Sequence, residues 1–277
     1  TANRRYPFQP AVDLHSQQRP LCVDLDGTLI HSDLLLESFL ALVKQNPLNL
    51  FQIPFWLLRG KAALKAEIAS RVTLNVATLP YHRELLAWLA RRQAEGAPLW
   101  LVTAANARLA RSVAQHLGIF AGVLASDERH NLSGANKARR CVERFGERGF
   151  DYCGNHRKDL AIWQHAQGAI VVNGRPALAA QAGTVAHLVQ EFAPHGQWFR
   201  SMIRALRPHQ WAKNVLVFVP LLTAHRLGDT AALMAAGWAF LAFGLCASSV
   251  YLLNDMLDLE ADRAHPDRQP TNSHHTR

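Results

Sequence analysis

Most of this chain is expected to be an α/β fold: an open, mostly parallel sheet carrying an inserted helical cap, followed by an all-α transmembrane segment. Three observations predict it. Short apolar runs that end in small or acidic residues alternate with helical patterns through residues 19–173, the order of a parallel sheet with crossover helices. The first two runs are separated by residues 31–97, far more than the dozen or so residues that a single crossover needs. About residues 33–79 are therefore expected to form the cap. Finally, residues 231–253 contain no charged side chain, enough for the ~20 apolar residues that cross a bilayer core.

The elements follow in order. Residues 1–18 are polar and unpatterned, a loose arm. "RPLCVDLDGTLI" (19–30) reads as a buried parallel strand that delivers Asp and Gly to its C-terminal edge. Residues 34–96 are helical by pattern. "PLWLVTAAN" (98–106) is a second strand ending in a small polar turn, followed by the helix "ARLARSVAQHLG". The strand "AGVLAS", the helix "NKARRCVERFGERG", the strand "FDYCGN", the helix "KDLAIWQHA" and the strand "GAIVVN" complete the alternation. "LFQIPFWLL" in the cap is apolar nearly all round. Its default reading is packing within the cap, and its alternative is a surface facing membrane or lipid. Trp88 and Trp163, at helical spacing among apolar neighbours, read as core.

After about residue 193 the chain becomes basic and aromatic, an interfacial linker over 196–213. "VLVFVPLLTA" (215–224) is short for a span and holds Pro220, yet with 231–253 it makes a two-span hairpin, 214–253, within a membrane domain of 214–277. Arg200, Arg204, Arg207 and Lys213 precede it, and Arg263 and Arg268 follow. Positive flanks favour cytoplasmic ends, hence a multi-pass protein of the plasma (inner) membrane with the α/β domain, 19–195, in the cytoplasm. The net charge of +9 raises a nucleic-acid partner, but Lys and Arg are scattered over helices without interleaved aromatics, and none is expected. The four cysteines show no CxxC pairing, which reads as reduced thiols.

The chemistry starts at "DLDGT". Asp24 and Asp26 stand at i and i+2, a spacing that at a strand end sends both carboxylates to one side of the sheet. Two such acids divide labour when a cation holds one ionised and an apolar site keeps the other protonated. Gly27 permits the exit turn, and Thr28 offers a hydroxyl or a cap. Thr103 ends the second strand, where its hydroxyl and the following N–H groups suit a phosphate oxygen. Lys137 begins a helix and can neutralise a phosphoryl oxygen. "GNHRKD" follows the fourth strand, with Asp159 available to Mg2+. His156 within it reads as a polar loop residue.

In these four motifs, taken in order, residues 19–190 resemble the haloacid dehalogenase (HAD) superfamily of phosphohydrolases. The resemblance implies a Rossmann-like domain in which Asp24 is the nucleophile and Asp26 the general acid and base. It implies that Thr103 and Lys137 hold phosphate and that magnesium lies among Asp24, the Asp26 carbonyl, Asn155 and Asp159. The family commonly has Asp where this chain has Asn155, whose neutral oxygen brings the metal no charge. The implied substrate is a phosphomonoester, and the competing reading is a non-catalytic domain acting as a tether or regulator.

A second oxygen-rich set lies at "LLNDMLDLEADRAHP". Asn254, Asp258 and Asp262 are spaced four and four, one helical stripe suited to magnesium on a diphosphate. A solvated helix end is the plainer account. "RPHQWAKNVLVFVPLL" and "SSVYLLNDMLDLEADRAHP" resemble the start of the UbiA superfamily of membrane prenyltransferases, in particular the branch that attaches phosphoribose to polyprenyl phosphate. That resemblance covers about residues 200–266. It implies an incomplete, inactive transferase portion whose tail, "DRQPTNSHHTR", is truncated or shifted in frame. The order of the two parts also resembles a known bacterial fusion, which implies a lipid-linked sugar phosphate as substrate and membrane lipid as partner.

Overall fold

The computed structural model describes residues 19–127, 131–194, 206–225 and 227–264. The expected arm at 1–18, most of the basic linker and the tail beyond Ala264 lie outside these residues. The chain divides into two compact units, Thr1–Pro194 and His195–Arg277.

In the first unit, six parallel strands form one sheet: β1 (Leu21–Val23), β2 (Leu99–Asn106), β3 (Gly122–Ser126), β4 (Asp151–Gly154), β5 (Gly168–Val172) and β6 (His187–Phe192). Their order across the sheet is β3-β2-β1-β4-β5-β6, with β1 between β2 and β4 in register at Val23, Leu101 and Cys153. Alternation along each strand feeds two cores. Leu21, Val23, Leu99, Leu101, Ile170 and Val172 join one, while Cys22, Val102, Ala169 and Val171 join the other, as period-two side chains must. Helices α4 (Arg83–Ala94) and α5 (Ala107–Leu117) cover the first face through Leu85, Leu89, Leu109 and Val113. Helices α6 (Ala135–Phe145), α7 (Leu160–Trp163) and α8 (Pro176–Val185) cover the second through Cys141, Trp163 and Ala182. Trp163 is fully buried and Trp88 half-buried against the first core, as expected.

Helix α8 and strand β6 were not anticipated. Strand β6 is an edge strand whose residues alternate little and stay exposed except the half-buried Gln190 and the buried Phe192, so it lacks the apolar run that marks its neighbours.

The cap occupies the interval between β1 and β2: α1 (Leu34–Gln45), a 3-10 turn (Pro47–Gln52), α2 (Ile53–Leu58), α3 (Lys61–Arg71) and a second 3-10 turn (Val76–Thr78). Its small core is Ala41, Leu42, Trp56, Ile68 and Val72. The expected packing of "LFQIPFWLL" within the cap fails for most of it. Trp56 is buried, with Arg71 stacked on its ring at 4.6 Å. Leu50, Phe51, Phe55, Leu57 and Leu58 face outward.

The second unit holds a 35-residue helix, Thr230–Ala264. Its segment Thr230–Asp258, 29 residues, is apolar enough to span a membrane and almost none of it is buried. At 1.5 Å per residue that length exceeds a hydrocarbon core of about 30 Å. Where the sequence led us to expect a preceding span, Pro208–Phe218 winds as 3-10 helix and only Val219–Thr223 is α-helical. Pro220 lacks the N–H that would continue a helix inward, so the described residues contain one helix of spanning length and not two. The 3-10 run packs back on the long helix through Trp211 Nε1 to Ser248 Oγ (3.0 Å) and Ser248 Oγ to the Leu206 carbonyl (2.6 Å).

Candidate active site

The ladder of β1 with its two neighbours stops at Val23, so Asp24 emerges in mid-sheet at the C-terminal edge, where β1 and β4 carry connections leading to opposite sides. That crevice is where open α/β sheets bind ligands. Asp24 is buried. Its Oδ1 accepts the Leu25 N–H (2.8 Å) and the Lys137 ammonium (2.9 Å). Lys137 is buried because α6 turns Lys137, Ala138 and Cys141, one helical stripe, toward the sheet. Its Nζ also donates to the Tyr152 hydroxyl at 3.2 Å. Burial works against the ammonium, but Asp24 and Asp159 outweigh it and raise the Lys137 pKa above the ordinary lysine value.

Asp26 does not continue the strand. It lies in the turn, bridged to Ile30, and its Oδ1 accepts the Leu34 N–H at the start of the cap (2.8 Å). The expected strand geometry of i and i+2 is therefore replaced by a turn, though both acids remain in one site. Burial, against the Leu34 hydrogen bond and with added repulsion from Asp33 and Asp24, pushes Asp26 up to about 7. Gly27 makes the turn with φ +71°, and a Cβ there would stand 2.2 Å from the Asn155 amide nitrogen. Only glycine fits. Asn155 thus packs its side chain on the turn after Asp24, and Asn173 donates to the Gly27 carbonyl (3.1 Å).

Asp159 is buried after β4. Its Oδ2 accepts the N–H groups of Asn155 (3.0 Å) and His156 (2.9 Å), and a Cβ at Gly154 would lie 2.6 Å from that oxygen. Burial and the Asp24 charge hold its carboxyl at about 6. His156 caps the 3-10 turn Arg157–Asp159 by accepting the Lys158 N–H, which bears out its reading as a loop residue.

Thr103 is fully buried, and its Oγ1 accepts the Ala105 N–H (3.0 Å). It does not end β2. The pairing with β3 loses register between Val102 and Asn106, and Thr103 opens that bulge. Thr28 is buried too, and its hydroxyl has no hydrogen-bond partner among the described residues.

One site residue was not anticipated. Lys65, on α3 of the cap, donates to the Ala104 carbonyl (2.7 Å) and to Asn131 Oδ1 (3.3 Å). Burial lowers its pKa, opposed by the nearby Asp26 and Asp33. In sequence it looks like one more solvated helix lysine; only Leu64 and Ile68 beside it hint at a buried face.

The second oxygen-rich set stands on the long helix of the second unit. Asn254 donates to Asp258 Oδ2 (3.2 Å), one turn on, and both are exposed. The Asp262 side chain lies outside the described residues. Asp255 is taken by Arg207, which reaches both its oxygens at 2.9 Å.

A parallel sheet in this order, with buried carboxylates and a lysine at its switch point under a helical cap, defines a capped Rossmann-like α/β domain. The chain belongs to the haloacid dehalogenase-like hydrolase family, whose model matches residues 21–164. It is 37% identical over 256 residues to "Uncharacterized protein y4nM" of Sinorhizobium fredii, covering 92% of this chain and 49% of that one. Over 80 residues it is 41% identical to the decaprenyl-phosphate phosphoribosyltransferase of Mycobacterium tuberculosis, covering 27% of this chain and 26% of that one. The chain therefore spans about half the length of the first of these relatives and about a quarter of the second. It joins a HAD-like domain to a segment similar to such transferases. A solved Bordetella pertussis protein of unknown function is 15% identical, with a TM-score of 0.49, covering 64% of this chain and 100% of that one.

Proposed function

We propose that residues 19–194 form a magnesium-dependent phosphomonoester hydrolase. The observation that carries the proposal is the buried Asp24–Lys137 pair at the switch point, with Asp26 and Asp159 beside it. The hydrogen bonds to the Asp24 carboxylate go to Oδ1, which leaves Oδ2 to attack phosphorus. Asp26 gives a proton to the leaving oxygen. It then takes one from the water that attacks the aspartyl-phosphate and frees inorganic phosphate and Asp24. Lys137 and the bulge after Thr103 hold the phosphoryl oxygens.

The donor set fits magnesium. Three carboxylates face the buried Lys137 ammonium and the half-buried Lys65, an excess of negative charge that a divalent cation offsets, and one or two carboxylates plus waters suffice for it. Asp24, Asp159, the Asn155 amide oxygen and the Asp26 carbonyl would hold it, and it would supply charge compensation between carboxylate and phosphate. Hydrolysis of a small phosphomonoester should stop in chelator and return with magnesium; equal rates in both conditions overturn the proposal.

The other reading, a non-catalytic domain that tethers or regulates a transferase, is favoured by Asn155, a neutral group where a carboxylate would strengthen the metal site. The two separate on Asn155→Asp. In the enzyme it lowers the magnesium concentration for half-maximal activity; in a silent domain no turnover appears at any concentration.

Similarity to decaprenyl-phosphate phosphoribosyltransferases supports a lipid-linked sugar phosphate as the physiological substrate, presented at the plasma membrane. Such a substrate in vesicles should be cleaved faster than its soluble sugar phosphate, and equal rates reject it. The Arg and Lys residues before the long helix support a cytoplasmic hydrolase domain, so a label on Ser112→Cys should be blocked from outside intact cells. In this reading Asn254, Asp258 and Asp262 belong to the diphosphate site of a longer transferase, tested by magnesium binding to that whole protein with and without Asp258→Asn.

A further inference from the structure

We propose that the outer face of the cap, residues 47–58, docks on an anionic lipid bilayer. The 3-10 turn Pro47–Gln52 runs directly into α2, and together they bury only Trp56. Leu48, Phe51, Phe55 and Leu58 recur at three, four and three along this run, and stand 66%, 76%, 68% and 86% exposed. That is an apolar stripe on one side of a helical segment, while Ile53 and Trp56 turn inward to the cap core. Four large apolar side chains so exposed within eleven positions are not scattered surface residues; they mark an interaction surface.

Charge chooses the occupant. Between Glu37 and Glu67 the chain holds Lys44, Arg59, Lys61 and Lys65 and not one acid. Lys44 and Lys61 are exposed at either end of the stripe, with Arg59, which also reaches Glu67 at 2.9 Å. An apolar stripe rimmed by cations is the pattern of a helix lying in a headgroup layer, where apolar burial and attraction to anionic lipid add. A protein partner would more commonly bring some mixed charge to its rim. The same chain also carries the 29-residue apolar helix Thr230–Asp258, whose insertion would tether the chain to a bilayer. Helix α3 is both a wall of the cap core and the source of Lys65 at the active site. Docking therefore sets the residues that border the carboxylates at the lipid surface. The inference does not depend on what the carboxylates do.

The test uses the full chain in phosphatidylcholine vesicles, with or without phosphatidylglycerol, measured on the fraction that floats with lipid. Cys246, the one exposed cysteine among the described residues, is replaced by Ser, and a fluorophore is placed at Phe55→Cys or, away from the cap, at Glu143→Cys. Nitroxide-headgroup lipid should quench the label at 55 and spare the one at 143. Quenching should grow with phosphatidylglycerol, and Lys44→Gln should lower the docked-to-free ratio up to about fivefold. Phe51→Asp with Leu58→Asp should abolish it. No quenching at 55 in floated vesicles overturns the proposal. So does a label equally shielded in lipid-free detergent and increasingly so with protein concentration, which assigns the stripe to a second copy of the chain.

Discussion

The chain carries two oxygen-rich clusters, and they differ in how they are made. Asn254 and Asp258 meet across one helical turn, in solvent, and need nothing but a helix to bring them together. Asp24 meets Lys137 over 113 residues of sequence, and the sheet order alone makes them neighbours. Burial then changes the chemistry. Asp26 is pushed up to about 7 and Asp159 to about 6 because each loses water and faces other carboxylates, and one buried lysine answers three acids. A local stripe is a place where a cation can sit; a folded-up cluster is a place where a proton and a phosphoryl group can be handled. Perturbed acids in a sheet crevice mark the second kind.

The comparison breaks most decisively on the acids themselves. Asp24→Asn should lower phosphomonoester turnover by about 10^4-fold or more, while Asp258→Asn leaves it unchanged. A matched loss in both would mean that the clusters act as one site. Next in size is Lys65→Met, which removes a cation beside Asp26 from the cap side. It should raise KM by about tenfold, the scale of one charged hydrogen bond, with a smaller change in kcat. An unchanged KM would leave Lys65 as a brace between α3 and β2.

The smallest effect reads the buried cluster by stability. A carboxyl whose folded pKa is raised holds its proton more tightly folded than unfolded. Its contribution is whole below its ordinary value of 3.8 and is lost as pH climbs through about 7. Asp26→Asn keeps the acceptor for the Leu34 N–H and removes the charge. In metal-free buffer it should raise the melting temperature at pH 8 and change it little at pH 4, and an equal change at both pH values would contradict the raised carboxyl.

How much of this was legible in sequence follows from what is local. The central strands announced themselves as apolar runs because both of their faces are buried, and the cap followed from an interval too long for one crossover. The residues of the four motifs were found, and the fold brings Asp24, Asp26, Lys137 and Asp159 together. Their geometry was less visible. Asp26 was expected on the strand, yet Gly27 at positive φ turns the chain first, and Thr103 opens a bulge within β2 and not its end. Strand β6 escaped notice because an edge strand exposed along most of its length carries no apolar signature. Lys65 was missed for the opposite reason: nothing in a helical "KAALKAE" says that one lysine will be drawn to the carbonyl of a residue 39 positions on. The exposed stripe of the cap was visible as apolar sequence, but only the fold showed that most of it faces outward.

The account stands on Asp24 as the atom that takes the phosphoryl group. The most direct measurement is acid quench of the magnesium-loaded protein turning over a phosphomonoester, followed by intact mass and reductive trapping to locate the adduct. A single phosphoryl group on Asp24 is expected, absent from Asp24→Asn and accumulating in Asp26→Asn, where water lacks its base. Turnover with no adduct in any of the three proteins, or an adduct on another residue, contradicts it.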